Sequence, residues 1–169
     1  MGSQTTMSQA ILALLKLSTM TLATVGCDGQ AHAAAVYFAA DETAFDLIFR
    51  GTPAPRHTTE NLPSIFFFSD QSSQHSQDLA INPRAAITIY PEVIEWQQIR
   101  GLQMRGEVKV IPKGAEWDFG LSLYKDKFPF VSTLLPIVQR NVLYRFTPHW
   151  LRWLDNRHRL GFKKEWCLQ

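Results

Sequence analysis

The chain has 169 residues and a mass of 19.3 kDa, the size of one ordinary domain that can bury a core. Apolar residues make up 46% of it and charged residues only 19%, which excludes disorder over most of the length. The net charge of +2 is too small to indicate a nucleic-acid binder. Two cysteines, Cys27 and Cys167, cannot supply a disulfide framework or a multi-cysteine zinc site.

The beginning of the chain bears on targeting. Residues 11–25 are mostly apolar, but no basic residue precedes them and Lys16 interrupts the run, which disfavours a signal peptide. The other uncharged stretches are too short to span a bilayer. We therefore expect a cytoplasmic protein in a reducing compartment, with no membrane association.

The first forty residues predict a helix followed by a β-hairpin. Residues 1–7 are small and polar and predict a disordered or artificially added start. Ser8 is the predicted N-cap of a helix whose apolar residues recur at helical spacing up to Leu17. Residues 20–25 and 31–40 predict two strands joined by a turn.

Residues 41–64 interrupt this pattern. They contain three prolines and a polar run at 56–61, which cannot form a paired central strand, although residues 45–49 are compatible with a short one. Long loops inside compact domains are uncommon and often functional or mobile. We predict a mobile or covering excursion inserted into a single domain that spans residues 8–169.

The second half of the chain predicts further strands with short helices between them. A strand at 65–68 precedes a helix that Ser72 or Ser73 caps and that Asn82-Pro83 ends. Further strands are predicted at 85–90, 96–111, 142–146 and 150–154, with helices at 116–124 and 134–140 and a turn at Thr147-Pro148. Gly101 and Gly106 indicate a bulge or a close approach within the long strand. Six or seven strands with short helices at the edges predict a mainly β fold, a small antiparallel barrel.

Few residues carry an obvious chemistry. The chain has no glycine-rich nucleotide fingerprint, and its five histidines lack the spacing of zinc ligands. Ser73, His75 and Asp78 are the residue types of a hydrolytic triad, yet they lie around one predicted helix start, where capping is the simpler explanation.

Residues 66–89 resemble the central signature of the FMN-binding split-barrel family related to pyridoxamine 5′-phosphate oxidase. The shared order is a strand ending in a hydroxyl residue, a polar Ser73-Gln74-His75 turn, a helix with Leu-x-x-Asn-Pro, and a second strand. Residues 99–108 and 144–162 are similar to the family's following strand and carboxyl end. The resemblance implies a split β-barrel of six to seven antiparallel strands and a homodimer with FMN at its interface.

The resemblance also implies a set of cofactor contacts and requires no catalytic side chain. A helix N-terminus favours a dianion, and four polar residues at or before it would hold the phosphate: Ser69, Ser73, Gln74 and His75. The isoalloxazine ring would lie against the backbone of Ala35 and Val36 and beside Phe68 and Gly101. The partner subunit would contribute Leu154 and Lys164.

The chain departs from the family where cations hold the phosphate. Gln74 and His75 replace an Arg and a Lys of the oxidase, and alanines lie near two further basic positions, at Ala34 and Ala39. True pyridoxamine phosphate oxidation is therefore disfavoured. Three functions remain open: an FMN-dependent oxidoreductase of an unidentified small substrate, a non-catalytic binder or sensor of flavin, deazaflavin or haem, and a structural dimer without a cofactor.

Overall fold

The computed structural model describes residues 2–50 and 63–168. The elements follow the chain as α1 (Gly2–Leu15), β1 (Thr19–Val25), β2 (Ala31–Tyr37), β3 (Ala39–Ala40), α2 (Glu42–Phe49), β4 (Ile65–Ser69), α3 (Gln74–Ile81), β5 (Arg84–Ile89), β6 (Arg100–Ile111), α4 (Ala115–Lys127), α5 (Phe130–Thr133), α6 (Leu135–Val138), β7 (Val142–Asp155) and β8 (Lys163–Cys167). Within these ranges no helix combines the length and apolarity needed to cross a bilayer.

The described strands form one antiparallel sheet that curls into a split barrel. Their order is β2-β1-β5-β6-β7-β4-β3, and β8 lies along β7. The strands at the two ends of this order, β2 and β3, are separated in the chain by Phe38 alone, so the two ends of the sheet must approach each other. The predicted fold class, a mainly β split barrel with short flanking helices, is confirmed.

The concave face of the sheet holds the larger apolar core. Alternation along β1 buries Met20 and Leu22 and leaves Thr19 and Val25 exposed, as expected of a strand with one buried face. Helix α1 contributes Ile11, and α3 contributes Leu79, to the same cluster. The concave face is therefore closed by helices within one protomer.

The convex face of the sheet divides into two halves. In the covered half, α4 and the segment after it pack onto Ala39, Phe66, Ile111 and Leu143, which are all buried. The bare half lies across β2, β1 and β5, where the strand registers align small side chains in two rows: Ala33, Ala23 and Ala86 in one, and Ala35, Thr21 and Thr88 in the other. The three alanines of β2 that face outward are exposed.

A β-bulge bends the longest strand. The register between β6 and β7 shifts after Arg105, so that Arg105 lies opposite Trp150 and Gly106 opposite Pro148. A Cβ on Gly106 would lie 2.2 Å from the carbonyl oxygen of Thr147, so a side chain is excluded there. The prediction of a bulge or a close approach at Gly106 is confirmed, and the extra residue of the bulge is His149, on β7. The predicted turn at Thr147-Pro148 is wrong, because β7 continues through it and the bulge accommodates the proline, which has no N–H to donate.

Residues 45–49 form part of helix α2, so the short strand considered for them is wrong. Asp41 caps this helix by accepting a 3.1 Å hydrogen bond from the Ala44 N–H. Phe45 and Phe49, four residues apart, share one face, are buried and stack at 6.2 Å between ring centroids. Residues 51–62 lie outside the described residues, and the mobile or covering excursion remains a prediction for them.

Three further element boundaries differ from the sequence predictions. Helix α1 begins at Gly2, so Ser8 is not its N-cap; the Ser8 hydroxyl instead donates to the Asp46 carboxylate. Strand β6 begins at Arg100, after a 3-10 turn over Trp96–Gln98. Strand β8 was not predicted, because its residues are mostly polar and exposed and lack an apolar alternation.

Candidate functional site

The barrel is split between β2 and β4. Strand β4 pairs with β7 along its whole length, from Ile65 to Ser69. On its other edge β3 reaches only Ile65 and Phe66, and β2 turns away to pair with β1. In the part of the chain that the structure describes, no ladder joins β2 to β4. This opening, which we call the split, has Ala35 and Val36 on its β2 edge and Phe68 and Ser69 on its β4 edge.

The hydroxyl of Tyr124 crosses the split. It donates a hydrogen bond to the carbonyl oxygen of Tyr37, at the end of β2. The backbone N–H of Phe68, on β4, donates to the same hydroxyl oxygen. Burial raises the pKa of Tyr124 well above its usual value, so the hydroxyl keeps its proton throughout the physiological range.

Three polar side chains meet where β4 leads into α3. The Ser69 Oγ lies 2.6 Å from the His75 Nε2 and 3.1 Å from the Ser73 Oγ, and the Ser73 Oγ lies 3.2 Å from the His75 Nε2. Ser73 is also the predicted N-cap, accepting from the Ser76 N–H at 3.4 Å. The first turn of a helix has N–H groups without intrahelical partners and a partial positive charge. This Ser69–Ser73–His75 cluster is therefore a set of donors suited to an anion.

The imidazole of His75 is half-buried, which favours its neutral form. Burial lowers its pKa below the reference value of 6.5, and the negative charge of Asp78 opposes that effect. Both serine hydroxyls contact the same ring nitrogen, Nε2, which in a neutral imidazole is either the donor or the acceptor. An anion placed at the cluster would favour the protonated form.

Asp78 takes no part in a triad. Its buried carboxylate accepts hydrogen bonds from the Thr24 hydroxyl at 2.6 Å and the Gln74 amide at 2.9 Å, and it pairs with the His32 Nδ1 at 2.8 Å. The Thr24 hydrogen bond, with smaller contributions from Gln74 and His32, holds the pKa of Asp78 below its usual value. These contacts tie α3 to β1 and β2, and they engage Gln74 outside the Ser69–Ser73–His75 cluster.

The remaining predicted site residues lie at the other end of β7. Gly101 is opposite Leu154, and both line a groove of about 500 Å³ bordered by residues 88–93 and 99–103. A Cβ on Gly101 would lie 2.9 Å from the Ile89 carbonyl oxygen, which explains the glycine. Lys164 lies on β8, with its Nζ 3.3 Å from the Met7 Sδ and 5.3 Å from the Trp166 ring.

Ser69 and Gly101 are paired with opposite ends of β7. Ser69 is opposite Val142, at the start of β7, whereas Gly101 is opposite Leu154, near its end. This interval is twelve residues of β7. The structure thus assembles Ala35, Val36, Phe68, Ser69, Ser73 and His75 around the split, and places Gly101, Leu154 and Lys164 elsewhere.

Four residues link the elements around the site, and the sequence singled out one of them, Asp78, only as a possible triad member. Thr24, His32 and Asp78 join α3 to the hairpin, and Tyr124 joins β2 to β4. The sequence signal for Tyr124 is that of an ordinary buried helix residue. Its hydroxyl partner lies 87 residues away along the chain, which no local pattern shows.

The fold and the split agree with the comparisons to known proteins. A family model described as pyridoxamine 5′-phosphate oxidase matches residues 7–152. The chain belongs to this family. A UPF0306 protein of Photorhabdus laumondii is 28% identical over 107 residues, which cover 63% of this chain and 68% of the relative.

Solved structures support the same fold. A protein from Clostridium acetobutylicum, related to general stress protein 26 and described as of the pyridoxinephosphate oxidase family, has a TM-score of 0.62 and 12% identity, covering 98% of this chain and 96% of its own. A heme binding protein from Mycobacterium smegmatis has a TM-score of 0.66 and 16% identity, covering 98% of this chain and 58% of its own. At these identities the likeness concerns the fold alone.

Proposed function

We propose that this member of the pyridoxamine 5′-phosphate oxidase family binds FMN in the split and acts as a flavin-dependent oxidoreductase on a small substrate. The observation that carries the proposal is the meeting of Ser69, Ser73 and His75 at the N-terminus of α3, next to the split. The phosphate lies at this cluster, and the ring lies between the Ala35–Val36 backbone and Phe68.

The residues present fit a phosphate, but with little fixed charge. Two hydroxyls, one imidazole and the first-turn N–H groups of α3 can donate to an anion once the Ser73 hydroxyl releases the Asp70 carbonyl oxygen, 2.8 Å away. None of the cluster side chains is a lysine or an arginine, and Ala39, near one of the family's basic positions, is only 1% exposed beneath α4. Binding therefore relies on neutral donors and on an imidazole that gains a proton.

The chain supplies binding and orientation, and the cofactor supplies the redox chemistry. A bound flavin accepts and delivers reducing equivalents. Phe68 packs edge-on against Trp117 and Tyr124, at 6.1 and 5.1 Å between ring centroids, and so forms a fixed apolar wall beside the split. This chemistry requires no side chain to act as an essential acid or base.

A second protomer completes the site. Gly101 and Leu154 line the groove at the other end of β7, and Lys164 lies on β8, so copies of these residues from the partner fill this role. The bare half of the convex face supports such a homodimer, because its Ala and Thr rows carry no charge that association would desolvate.

A titration of the purified protein with FMN and riboflavin tests the proposal. We expect FMN to bind, with the visible absorption bands of a protein-bound flavin, and riboflavin to bind more weakly because it lacks the phosphate. Anaerobic addition of a nicotinamide donor should then bleach those bands. The absence of flavin binding would overturn the proposal, and binding without reduction by any donor would leave a binder rather than an enzyme.

Haem is the second candidate ligand. The similarity to the heme binding protein from Mycobacterium smegmatis favours it, as does the lack of a lysine or arginine among the side chains of the Ser69–Ser73–His75 cluster. Titration with haemin provides the comparison in the same assay. A Soret band shifted from that of free haemin, together with no flavin bands, would favour haem over FMN.

A further inference from the structure

We propose that Tyr124 is a positioning residue for the flavin ring, acting as a latch that holds the two edges of the split together. The inference rests on the proposed function, since it concerns the ring end of the same site. Tyr124 itself lies in the core beneath the split, 4% exposed, so it acts through the strands whose backbone it hydrogen-bonds.

The backbone of the split explains why a latch is needed. Strand β3 pairs with β4 only opposite Ile65 and Phe66, so the next backbone groups of that β4 edge have no strand partner. Tyr37 ends β2 just before Phe38 turns the chain into β3. A buried backbone group without a partner is costly, and a single hydroxyl satisfies one such group on each strand.

The two hydrogen bonds lie beside the predicted ring contacts. Tyr37, whose carbonyl oxygen accepts from Tyr124, follows Ala35 and Val36 directly. Phe68 is itself a predicted ring contact, and Ser69 begins the cluster for the phosphate. The latch therefore sets the spacing between the two edges at the ring end, whereas the link between Asp78 and His32 joins α3 to β2 at the phosphate end.

The surroundings hold the latch in place. The Tyr124 ring packs against Phe68 at 5.1 Å and against Phe128 at 5.2 Å, and Phe128 packs in turn against Tyr37 at 5.3 Å. Because these rings pack against one another, removal of the Tyr124 hydroxyl leaves the aromatic packing in place and deletes only the hydrogen bonds between the two edges of the split.

Tyr124→Phe tests the inference, with Tyr144→Phe as the matched control. Both tyrosines are 4% exposed, and the Tyr144 ring stacks on Phe67 of β4, but its hydroxyl has no hydrogen-bond partner among the described residues. We expect Tyr124→Phe to weaken FMN and riboflavin binding alike, by about tenfold, since the variant loses buried hydrogen bonds whose net contribution is of this order. Tyr144→Phe should leave both affinities unchanged.

Amide exchange of Phe68 gives a readout that does not require flavin. In the flavin-free protein, the Phe68 N–H should exchange faster in Tyr124→Phe than in wild type or Tyr144→Phe. Unchanged Phe68 exchange, or equal loss of flavin affinity in both variants, would overturn the latch. Wild-type protein that binds no flavin would overturn the proposed function and the ring-positioning role, while the exchange comparison would still decide whether the hydroxyl closes the split.

Discussion

The two halves of the convex face differ in the size of their side chains and in what covers them. In the covered half, α4 lies close over Phe66 and Leu143, and a Cβ on Gly120 would be 2.8 Å from the Phe66 ring. In the bare half, the same sheet presents Ala and Thr rows, and these residues belong to neither apolar cluster that the described helices help to bury. Large side chains need cover from their own chain, whereas small uncharged ones form a flat surface that a second protomer can cover.

The largest expected effect concerns the covered half. Phe66→Ala removes a ring that is 1% exposed and packed beneath α4, so we expect the free energy of unfolding to fall by about 3–5 kcal/mol. Urea denaturation of the variant and wild type measures the change. A loss below about 1 kcal/mol would mean that α4 contributes little to the protomer's stability.

A substitution in the bare half should weaken association and leave the folding of the protomer intact. Ala33→Glu places a charge on an exposed position, so the protomer should stay folded while the dimer weakens by about 2–5 kcal/mol through an unpaired interfacial charge. Sedimentation over a dilution series measures dissociation. Lys125→Glu, on the exposed side of α4, is the control and should leave association unchanged. A wild-type monomer at micromolar concentration would contradict the homodimer.

A smaller effect is expected at the split, between the two halves. His75→Ala should weaken FMN binding by about 1–3 kcal/mol and leave riboflavin binding unchanged, because only FMN has the phosphate. Burial lowers the pKa of His75 in the flavin-free protein, and a bound dianion should raise it. The imidazole's contribution to affinity is then greatest below the free-state pKa and is lost as pH rises through the bound-state pKa.

His75→Arg separates this titration from that of the phosphate. A guanidinium keeps its charge, so FMN binding should tighten and its dependence on pH should flatten, leaving only the phosphate's own ionisation near about pH 6. Affinities measured from pH about 5.5 to 8 cover the imidazole range. Equal FMN affinity in wild type, His75→Ala and His75→Arg would argue against a phosphate at the cluster.

The sequence predicted the helices, strands and turns whose ends are determined by neighbouring residues in the chain. Helix α3 has its N-cap at Ser73 and ends before Pro83, as capping and proline sterics require. Strand β1 follows from its alternation, and the Gly26–Gly29 turn follows from residues such as Gly29, at φ +80°. The family signature placed Ser69, Ser73 and His75 together, although no periodicity would have done so.

The features that sequence reasoning missed depend on distant partners. From the sequence alone, Pro148 predicts a turn. In the structure it lies opposite Gly106 of another strand, at a bulge that lets the strand continue. Strand β8 forms because β7 offers a free edge past that bulge. The two halves of the convex face differ in side-chain size, but only the register of β1 with β2 and β5 shows that the small residues align.

The single residue Phe38 has a consequence for how the barrel closes. Bringing together the ends of a sheet normally requires closing a long loop, with an entropy cost that grows with loop length. Here β2 and β3 are parts of nearly one continuous segment, so the chain reaches both ends of the sheet with almost no loop between them. Once β1 has paired with β2 and β4 with β3, the short connection at Phe38 holds the two ends of the sheet near each other. Pairing of strands that are distant in the chain slows folding, and this connection shortens the separation at the point where the barrel closes.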